Sequence, residues 1–365
     1  MTQTVKVNPL PALTWNWLRM NKGEFSLGQE TKNSGAAFEV SELSQGFSFF
    51  SEFNQDEKKA GQEIKTGMGK EFTSLLDGEL EKSPKTPAAL LEIADGAKSD
   101  KSVILRLNLS HGENSLKRLF IKAGKNSQAS IVLLWSSPKK AAGFNALQTI
   151  VDAEKNSKVR LATIQLLGDG FIHANDIGTI QGEGSEVEIS QLELGGKKLF
   201  QGIHSTQKER GSTFRHREAY FLDKDRELDM NFVADQFGQK TESDMKVYGS
   251  LKDFAKKTYR GTIDFKKGCQ GAVGNEQEEI LLLSPDIANK SIPLILCDEE
   301  DVQGEHGASV GRLDESLLFY MNSRGVDEKQ AQKMMARGKV ARVAALIDSQ
   351  EAAKEALDFF DGAFD

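Results

Sequence analysis

The side chains best suited to metal chemistry lie between Cys297 and His306. Acidic residues occupy positions 298 to 301, Glu305 stands directly before His306, and Asp314 begins a helical pattern soon afterwards. Carboxylate and imidazole groups together bind iron or zinc. A mononuclear site needs three or four ligands, and neighbouring residues on a strand point to opposite faces. The pair therefore predicts at most part of a site, whose other ligands would come from another subunit.

Each of these residues also admits a purely structural role. The acidic residues would then form a solvated strand edge, and His306 would be hydrogen-bonded at a turn. Cys269 and Cys297 would be small buried hydrophobic side chains. The chain has only these two cysteines and no CxxC motif, so no disulfide framework is predicted and a reducing compartment is favoured.

Sequence motifs for nucleotide binding and for self-contained catalysis have little support. Gly67-Met68-Gly69-Lys70 is followed by Glu71, so it lacks both the spacing of a Walker A motif and its Ser or Thr. No HExxH motif occurs, and none of the five histidines is paired at a metal-binding spacing. We therefore expect no enzymatic activity and no bound nucleotide in this chain.

Composition indicates a globular protein with a sizeable core. Of the 365 residues, 38% are hydrophobic and 28% are charged, and the length suits two or three units or one elongated repeat fold. The net charge of -7 disfavours a nucleic-acid surface, which would be basic. The start lacks the basic and apolar regions of a signal peptide, and no apolar run is long enough to span a bilayer. A cytoplasmic protein without membrane contact is predicted.

Positions 87 to 297 carry the alternation of apolar and polar residues that predicts short β-strands. Val103–Leu109 alternates cleanly, and Ala129–Trp135 is a continuous apolar run. Val187 and Ile189 also alternate, but Leu192 continues the pattern one residue out of phase. Such a slip predicts a β-bulge at that point.

Similar strands recur every 20 to 30 residues in this region, which is the length of one turn of a β-solenoid. The 33 glycines and 7 prolines favour many tight turns. No strict repeat and no propeller signature is visible. From the pattern alone, a β-solenoid and a β-sandwich are about equally favoured.

Residues 1–80 form a polar, mixed region. Thr14 is predicted to cap a short helix whose residues Trp15, Trp17 and Leu18 dock on the main body. Residues 19–70 are rich in polar residues and glycine, and we expect an irregular surface segment there, with solvated charges at 52–59.

The last fifty residues predict three helices. Asp314 caps the first, and Asp327 with Gln330 forms a capping box for the second, which carries apolar residues up to Ile347. The third places five apolar residues on one face: Ala352, Ala353, Ala356, Leu357 and Phe360. That face must be buried on the β-region or on a partner, and burial within the chain is the favoured alternative.

The region around His306 carries an ordered series of short motifs. They are Asp301-Val302, His306-Gly307-Ala308-Ser309-Val310-Gly311-Arg312-Leu313-Asp314, Leu318-Phe319-Tyr320 and Ser323-Arg324-Gly325, preceded by Tyr259-Arg260-Gly261, Leu281-Leu282-Leu283-Ser284 and the N-terminal Leu13-Thr14-Trp15-Asn16-Trp17-Leu18. In these motifs the chain resembles the SufB/SufD family of the SUF iron–sulfur cluster assembly system. The similarity covers roughly the last two thirds of the chain and the N-terminal motif, whereas residues 20–80 match nothing in the family.

This resemblance implies an architecture and a set of partners. It implies a small N-terminal region at 1–80, a right-handed parallel β-helix at 81–312 and a C-terminal helical domain at 313–365. Family members pair, SufB-like with SufD-like, through the β-helices, and each recruits a SufC-type ATPase through its helical domain. ATP chemistry would then lie on the partner, and sulfur would reach this chain only indirectly.

The resemblance also assigns residues. The family histidine at the subunit interface falls on His306, which would contribute a ligand to iron or to a transient iron–sulfur cluster. Glu305 would be a second ligand or would orient the imidazole, and Cys297 is a weaker candidate. SufD-type members commonly have Cys-Ser before this histidine, where this chain has Gly304-Glu305. The sulfur-accepting cysteine of SufB-type members would fall near 287–288, where no cysteine is present, so the chain is most like a SufD-type subunit.

Two other functions remain open on the sequence. A homodimeric scaffold of the same family could act without a separate SufB-type subunit. A β-helix enzyme acting on polysaccharides would use paired carboxylates such as those at 298–301, although the helical tail and the family motifs argue against it.

Overall fold

Strands of about ten residues wind into a parallel β-solenoid in this computed structural model, which describes residues 3–14, 16–27, 33–51, 64–82 and 88–364. One sheet contains, in spatial order, β3 (Glu39–Val40), β6 (Val103–Asn108), β8 (Gln128–Ser136), β10 (Lys158–Leu166), β12 (Glu186–Glu193), β14 (Thr213–Leu222), β16 (Glu242–Leu251), β18 (Ala272–Leu282) and β20 (Val302–Gly311). The facing sheet contains β4 (Phe47–Phe50), β5 (Ala89–Ile93), β7 (Asn114–Ala123), β9 (Ala142–Ala153), β11 (Gly170–Gln181), β13 (Lys198–Gln207), β15 (Glu227–Gln236), β17 (Lys256–Phe265) and β19 (Ala288–Cys297).

Residues paired between neighbouring coils lie close to thirty positions apart in the chain. Val159 is opposite Val187, and Ser243 is opposite Gly274. These ladders are parallel, whereas the neighbouring strands of a sandwich would be largely antiparallel. The solenoid is therefore confirmed, and the sandwich alternative is wrong.

A structural repeat at one turn of each coil accompanies this spacing. Asn126, Asn156, Gly184, Gly211 and Lys240 all have positive φ, between 54° and 68°. Each donates its backbone N–H to a carbonyl of the following coil, for example Asn156 to Glu183 at 2.8 Å. The left-handed conformation favours glycine and asparagine. This tolerance of several residue types explains why the coils repeat in structure without a strict repeat in sequence.

The inward-facing residues of the coils form one apolar core. In the first coils this core is made of aliphatic side chains such as Leu105, Ile131 and Leu133, with Trp135 fully buried among them. Each such aliphatic side chain contributes roughly 1.5–3 kcal/mol through burial. The alternation read from the sequence thus reports the inward face of each strand.

The predicted bulge after Ile189 is wrong. β12 keeps a continuous register with β10 from Glu186 to Glu193, with no inserted residue. Gln191 faces the solenoid interior, whereas Leu192 faces outwards and packs in the cluster that contains the C-terminal helices. The apparent change of phase arises because both faces of the strand are buried at this position.

Three helices complete the C-terminal part: α2 (Glu315–Ser323), α3 (Glu328–Ala344) and α4 (Gln350–Ala363), after α1 (Lys70–Lys82) in the N-terminal region. Asp314 caps α2 and Asp327 caps α3, as predicted. The apolar face of α4 packs on the outer face of the first sheet, where the Phe360 ring centroid lies 5.2 Å from that of Phe221. Burial within the chain is therefore confirmed.

The N-terminal region differs from its prediction. β1 (Gln3–Val7) and β2 (Gly23–Leu27) form an antiparallel pair whose Phe25 is fully buried against α1. The expectation of an irregular segment over 19–70 is thus wrong at β2, β3 and β4, while its 28–32 and 52–63 portions lie outside the described residues. β2, β3 and β4 have only 5, 2 and 4 residues, which is too short for alternation to predict a strand with any certainty.

The segment before β2 forms a loop that hydrogen bonds between Thr14 and Asn21 close. A 3-10 turn covers Asn16–Leu18, and the Thr14 hydroxyl donates to Asn21 Oδ1 at 2.7 Å. Trp17 is 71% exposed, so its predicted docking on the main body is wrong, whereas Leu18 packs against a cluster that contains Ile292 of β19, as predicted. Trp15 lies outside the described residues. The division of the chain at 80 and 312 stays a prediction.

Within the described residues, no helix is long and apolar enough to cross a membrane.

Candidate functional site

The last coil of the solenoid leaves two strand edges uncovered. β19 and β20 each lie at the end of their sheet, and the described residues place no further strand beyond either of them. All side chains from 303 to 311 on β20 are exposed. A strand edge presents unpaired backbone donors and acceptors, so this end of the solenoid can pair with another chain.

His306 lies on β20 and faces the interior side of this last coil. A Cβ added at Gly304 would lie 2.9 Å from Phe265 Cε2, which places position 304 on the interior side. Side chains alternate along a strand, so His306 shares that side and Glu305 faces the opposite one. The two adjacent residues therefore do not converge on one point within this chain.

Cys297 lies at the end of β19 and is exposed, whereas Cys269 is fully buried in the core. The prediction of a buried hydrophobic cysteine is thus confirmed for Cys269 and wrong for Cys297. The Cys297 Sγ–H donates to the Glu299 carbonyl at 3.0 Å. At the end of a strand the chain turns away, so the thiol sits at the rim of the coil.

The acidic residues at 298–301 form the turn between β19 and β20. The Glu299 carboxylate accepts the Gly268 backbone N–H at 2.9 Å. This amide, the largest cause, lowers the pKa of Glu299 below its ordinary value. Glu299 thus ties two consecutive turns together. Asp298, Glu300 and Asp301 are exposed, as predicted, but these residues form a turn and not a strand edge.

Below this rim, the solenoid interior changes from apolar to polar. Lys257 is fully buried, forms an ion pair with Glu278 and donates to Ser291 Oγ at 2.9 Å. Ser291 in turn donates to Glu278 Oε2 at 2.6 Å. Desolvation lowers the pKa of Lys257, and the Glu278 carboxylate opposes that change. A buried ion pair needs such additional hydrogen bonds to offset desolvation.

A second buried carboxyl, that of Glu276, lies on the same strand. Burial raises the pKa of Glu276 to about 8, the Tyr259 hydroxyl opposes that rise, and Glu278 adds to it. The carboxyl occupies space left by Gly261, where a Cβ would lie 2.1 Å from Glu276 Oε1. The glycine of the motif Tyr259-Arg260-Gly261 therefore makes room for a buried carboxyl on this inner face.

The middle residue of that motif faces outwards and anchors the N-terminal segment. The Arg260 side chain is 1% exposed, donates from Nε to the Met20 carbonyl at 2.5 Å and pairs with Asp229 at 2.7 Å. The motif therefore joins the interior below the last coil to the loop that precedes β2.

The residues singled out from the sequence do not form a complete ligand set. Across the described ranges, no group of three or more His, Cys, Asp or Glu side chains is placed to hold a metal ion. The described residues therefore contain no complete metal site, and the role of His306 as a ligand stays a prediction. The sequence reasoning missed Glu276, although its distance of thirty residues from His306 matches the coil repeat and could have revealed it.

The sequence 307–311 reads Gly-Ala-Ser-Val-Gly, which matches the GxSxG motif of a hydrolase nucleophile elbow. That motif requires a sharp turn between a strand and a helix. Here all five residues lie within β20, in continuous register with β18. Ser309 is therefore an ordinary strand residue.

A second exposed surface lies on the C-terminal helices. Helix α2 contains no buried residue, and Leu317, Phe319 and Tyr320 are 37%, 77% and 55% exposed. On α3, Met334 and Met335 are 58% and 41% exposed. Large exposed apolar side chains grouped on neighbouring helices are typical of protein interaction surfaces.

Fold and site together define a class: a β-solenoid protein with an uncovered last coil and C-terminal helices on its outer face. Comparison with known proteins gives the family. The family model described as SUF system FeS cluster assembly, SufBD core domain, matches residues 106–339. The chain belongs to this family, and the resemblance read from its motifs is confirmed.

Individual relatives agree with this assignment. The iron–sulfur cluster assembly protein SufD of Bacillus subtilis (strain 168) is 26% identical over 211 residues, which are 57% of this chain and 47% of the relative. A SufBD family protein of Staphylococcus saprophyticus is 24% identical over 234 residues, 64% of this chain and 50% of the relative. SufB of Bacillus subtilis is 32% identical over 87 residues, 24% of this chain and 19% of the relative. The chain spans about half the length of the first two.

Proposed function

We propose that this chain is a SufD-like, non-enzymatic subunit of an iron–sulfur cluster assembly scaffold. The observation that carries the proposal is the family match over residues 106–339, which covers most of the solenoid and extends into α3. Its partners are a SufB-type subunit and a SufC-type ATPase, and its cargo is iron or a transient cluster. It acts in the cytoplasm, a proposal that the two free cysteines support.

The uncovered last coil supports pairing with a SufB-type subunit. Terminal coils of a solenoid expose their core unless something covers them, and β20 has neither proline nor a bulge to discourage pairing. Pairing at this edge brings His306 next to the partner, which can then supply further ligands to the cargo. Sulfur reaches this site through the partner and not through a cysteine on β20.

The helical surface supports recruitment of the ATPase. Exposed aromatic and Met side chains supply large contact area and adapt to a partner surface. Nucleotide chemistry then belongs to the ATPase, consistent with the absence of a Walker A motif from this sequence.

Co-expression with the SufB-type and SufC-type proteins of the same genome tests this function. We expect all three chains to co-purify, and Phe319→Asp to lose the ATPase while retaining the SufB-type subunit. Phe254→Asp is the control, because Phe254 is 63% exposed on the turn between β16 and β17 and not on a helix. Recovery of this chain without either partner contradicts the proposal, and a homodimer seen by native mass spectrometry replaces it with a homodimeric scaffold.

A further inference from the structure

Two side chains from adjacent coils share the interior side at the open end of the solenoid. Glu276 on β18 and His306 on β20 are in-register partners. In-register residues of parallel strands project to the same face, about 4.8 Å apart. Their shared side is the interior one, because Gly304, two residues before His306, directs its Cβ position towards Phe265 and Ile295.

Glu276 is built into this position by its surroundings. Glu276 is only 1% exposed. Its carboxyl fills the space left by Gly261 on the facing sheet. Within the described part of the chain, Glu276 Oε2 is buried without a hydrogen-bond partner, and so is the neighbouring Tyr259 hydroxyl. The buried cation Lys257 does not serve it, because its ammonium group is bonded to Glu278 and Ser291.

A buried carboxyl oxygen without a partner costs free energy unless a ligand binds it. Its neighbour on the open side is an exposed imidazole on the edge strand. An oxygen and a nitrogen donor on one face suit a divalent cation of the ferrous or zinc type.

We propose that Glu276 and His306 form a two-residue metal half-site on the interior face of the last coil, completed by ligands from the paired subunit. The inference deepens the proposed function and rests on it for the identity of the cargo as ferrous iron. It assigns the second ligand of this chain to the coil beneath His306. Glu305 faces the other side of β20, opposite Asn275, and lies outside this half-site.

Metal binding to the full chain alone tests the half-site. The chain is labelled with [15N]histidine and titrated anaerobically with Co²⁺, and paramagnetic broadening is followed at each imidazole. His306→Ala identifies the His306 resonances among those of the five histidines. We expect Glu276→Gln to weaken Co²⁺ binding at His306 by about tenfold or more. The matched control Glu305→Gln is expected to leave that binding unchanged.

Circular dichroism checks that each variant folds, and Glu276→Asp, which keeps a shorter carboxylate, is the second variant. Glu276→Asp is expected to bind Co²⁺ more tightly than Glu276→Gln and more weakly than the parent. Equal binding by the parent and both Glu276 variants overturns the half-site, as does a larger loss for Glu305→Gln. The Co²⁺ titration uses this chain alone, so its result does not depend on co-purification with SUF proteins. The half-site and the proposed function can therefore be contradicted independently.

Discussion

The first and last coils of the solenoid differ in what covers them. At the first coil, β3 and β4 pair antiparallel with β6 and β5, and Phe47 is buried against the core beneath. At the last coil, the described residues place no strand beyond β19 or β20, and the side chains of 303–311 are exposed. Terminal repeats of a solenoid need capping for solubility. The uncapped end is therefore the one at which we propose that another chain pairs.

The interiors of the two ends differ as well. The first coils are filled with apolar residues such as Leu105, Leu133 and Trp135, which stabilise the fold. From β11 onwards, fully buried ionisable groups appear on the inward face, among them His173, Glu193 and Glu218. Burial raises the pKa of both carboxyls well above the ordinary value. Apolar side chains dominate the inward face at the capped end, and fully buried ionisable groups lie on it towards the open end.

The largest effect is expected where a charge is placed on the open end. Val310 is 47% exposed on β20 and lies on the interior side of the strand with His306. Val310→Lys should abolish co-purification with the SufB-type subunit, because a buried unpaired ammonium group opposes pairing. The thermal midpoint of the isolated chain should stay unchanged.

Val273→Lys provides the matched control for this charge. Val273 is 40% exposed on the neighbouring strand, where alternation directs it outwards. Pairing that survives Val310→Lys would mean that the open end is not the interface.

The capped end should show the opposite response. Phe47→Ala removes a side chain that is 7% exposed and is expected to lower the free energy of unfolding by about 3 kcal/mol. Phe50→Ala, on the same strand but 46% exposed, should change it far less. Urea unfolding of both variants measures the difference, and co-purification with the SufB-type subunit should survive both substitutions. Equal losses of stability would remove the assigned role of β4 as a cap.

The solenoid itself was accessible from the sequence. Alternation such as that of Val103–Leu109 indicates a strand with one buried face. The regular spacing of similar strands along the chain indicates the length of one coil. Pattern alone left the sandwich open, because local alternation carries no information on whether neighbouring strands run parallel. The family motifs at 306–325 resolved that ambiguity through resemblance.

Features that depend on tertiary contacts were not accessible in this way. Leu192 looked like a change of phase because helices cover the outer face of β12, and Trp17 looked like a core residue although it is exposed. Glu305 stood beside His306 in the chain, yet Glu276 lies beside it in space. Proximity across coils follows the register, and the register is set by turn lengths and not by the residues of the site.

The smallest effect is expected from a buried carboxyl group of the polar interior, and it is a dependence of stability on pH. Burial raises the pKa of Glu193 well above 4.5, so the folded state keeps a proton that the unfolded chain releases. Its stabilising contribution is fully present below about pH 4.5 and is lost as the pH rises towards the raised pKa. Glu193→Gln removes this titration, and its stability relative to the parent should rise by up to about 1.4 kcal/mol per pH unit.

Urea unfolding at several values between about pH 5 and pH 8 measures this slope. The slope for Glu193→Gln is compared with that for the control Glu209→Gln, because Glu209 is exposed on a turn. A constant difference for Glu193→Gln would show that the carboxyl ionises as readily in the folded chain as in the unfolded one. Water would then reach the solenoid interior at β12. The polar interior would not be dry there, and the contrast drawn with the apolar capped end would be wrong.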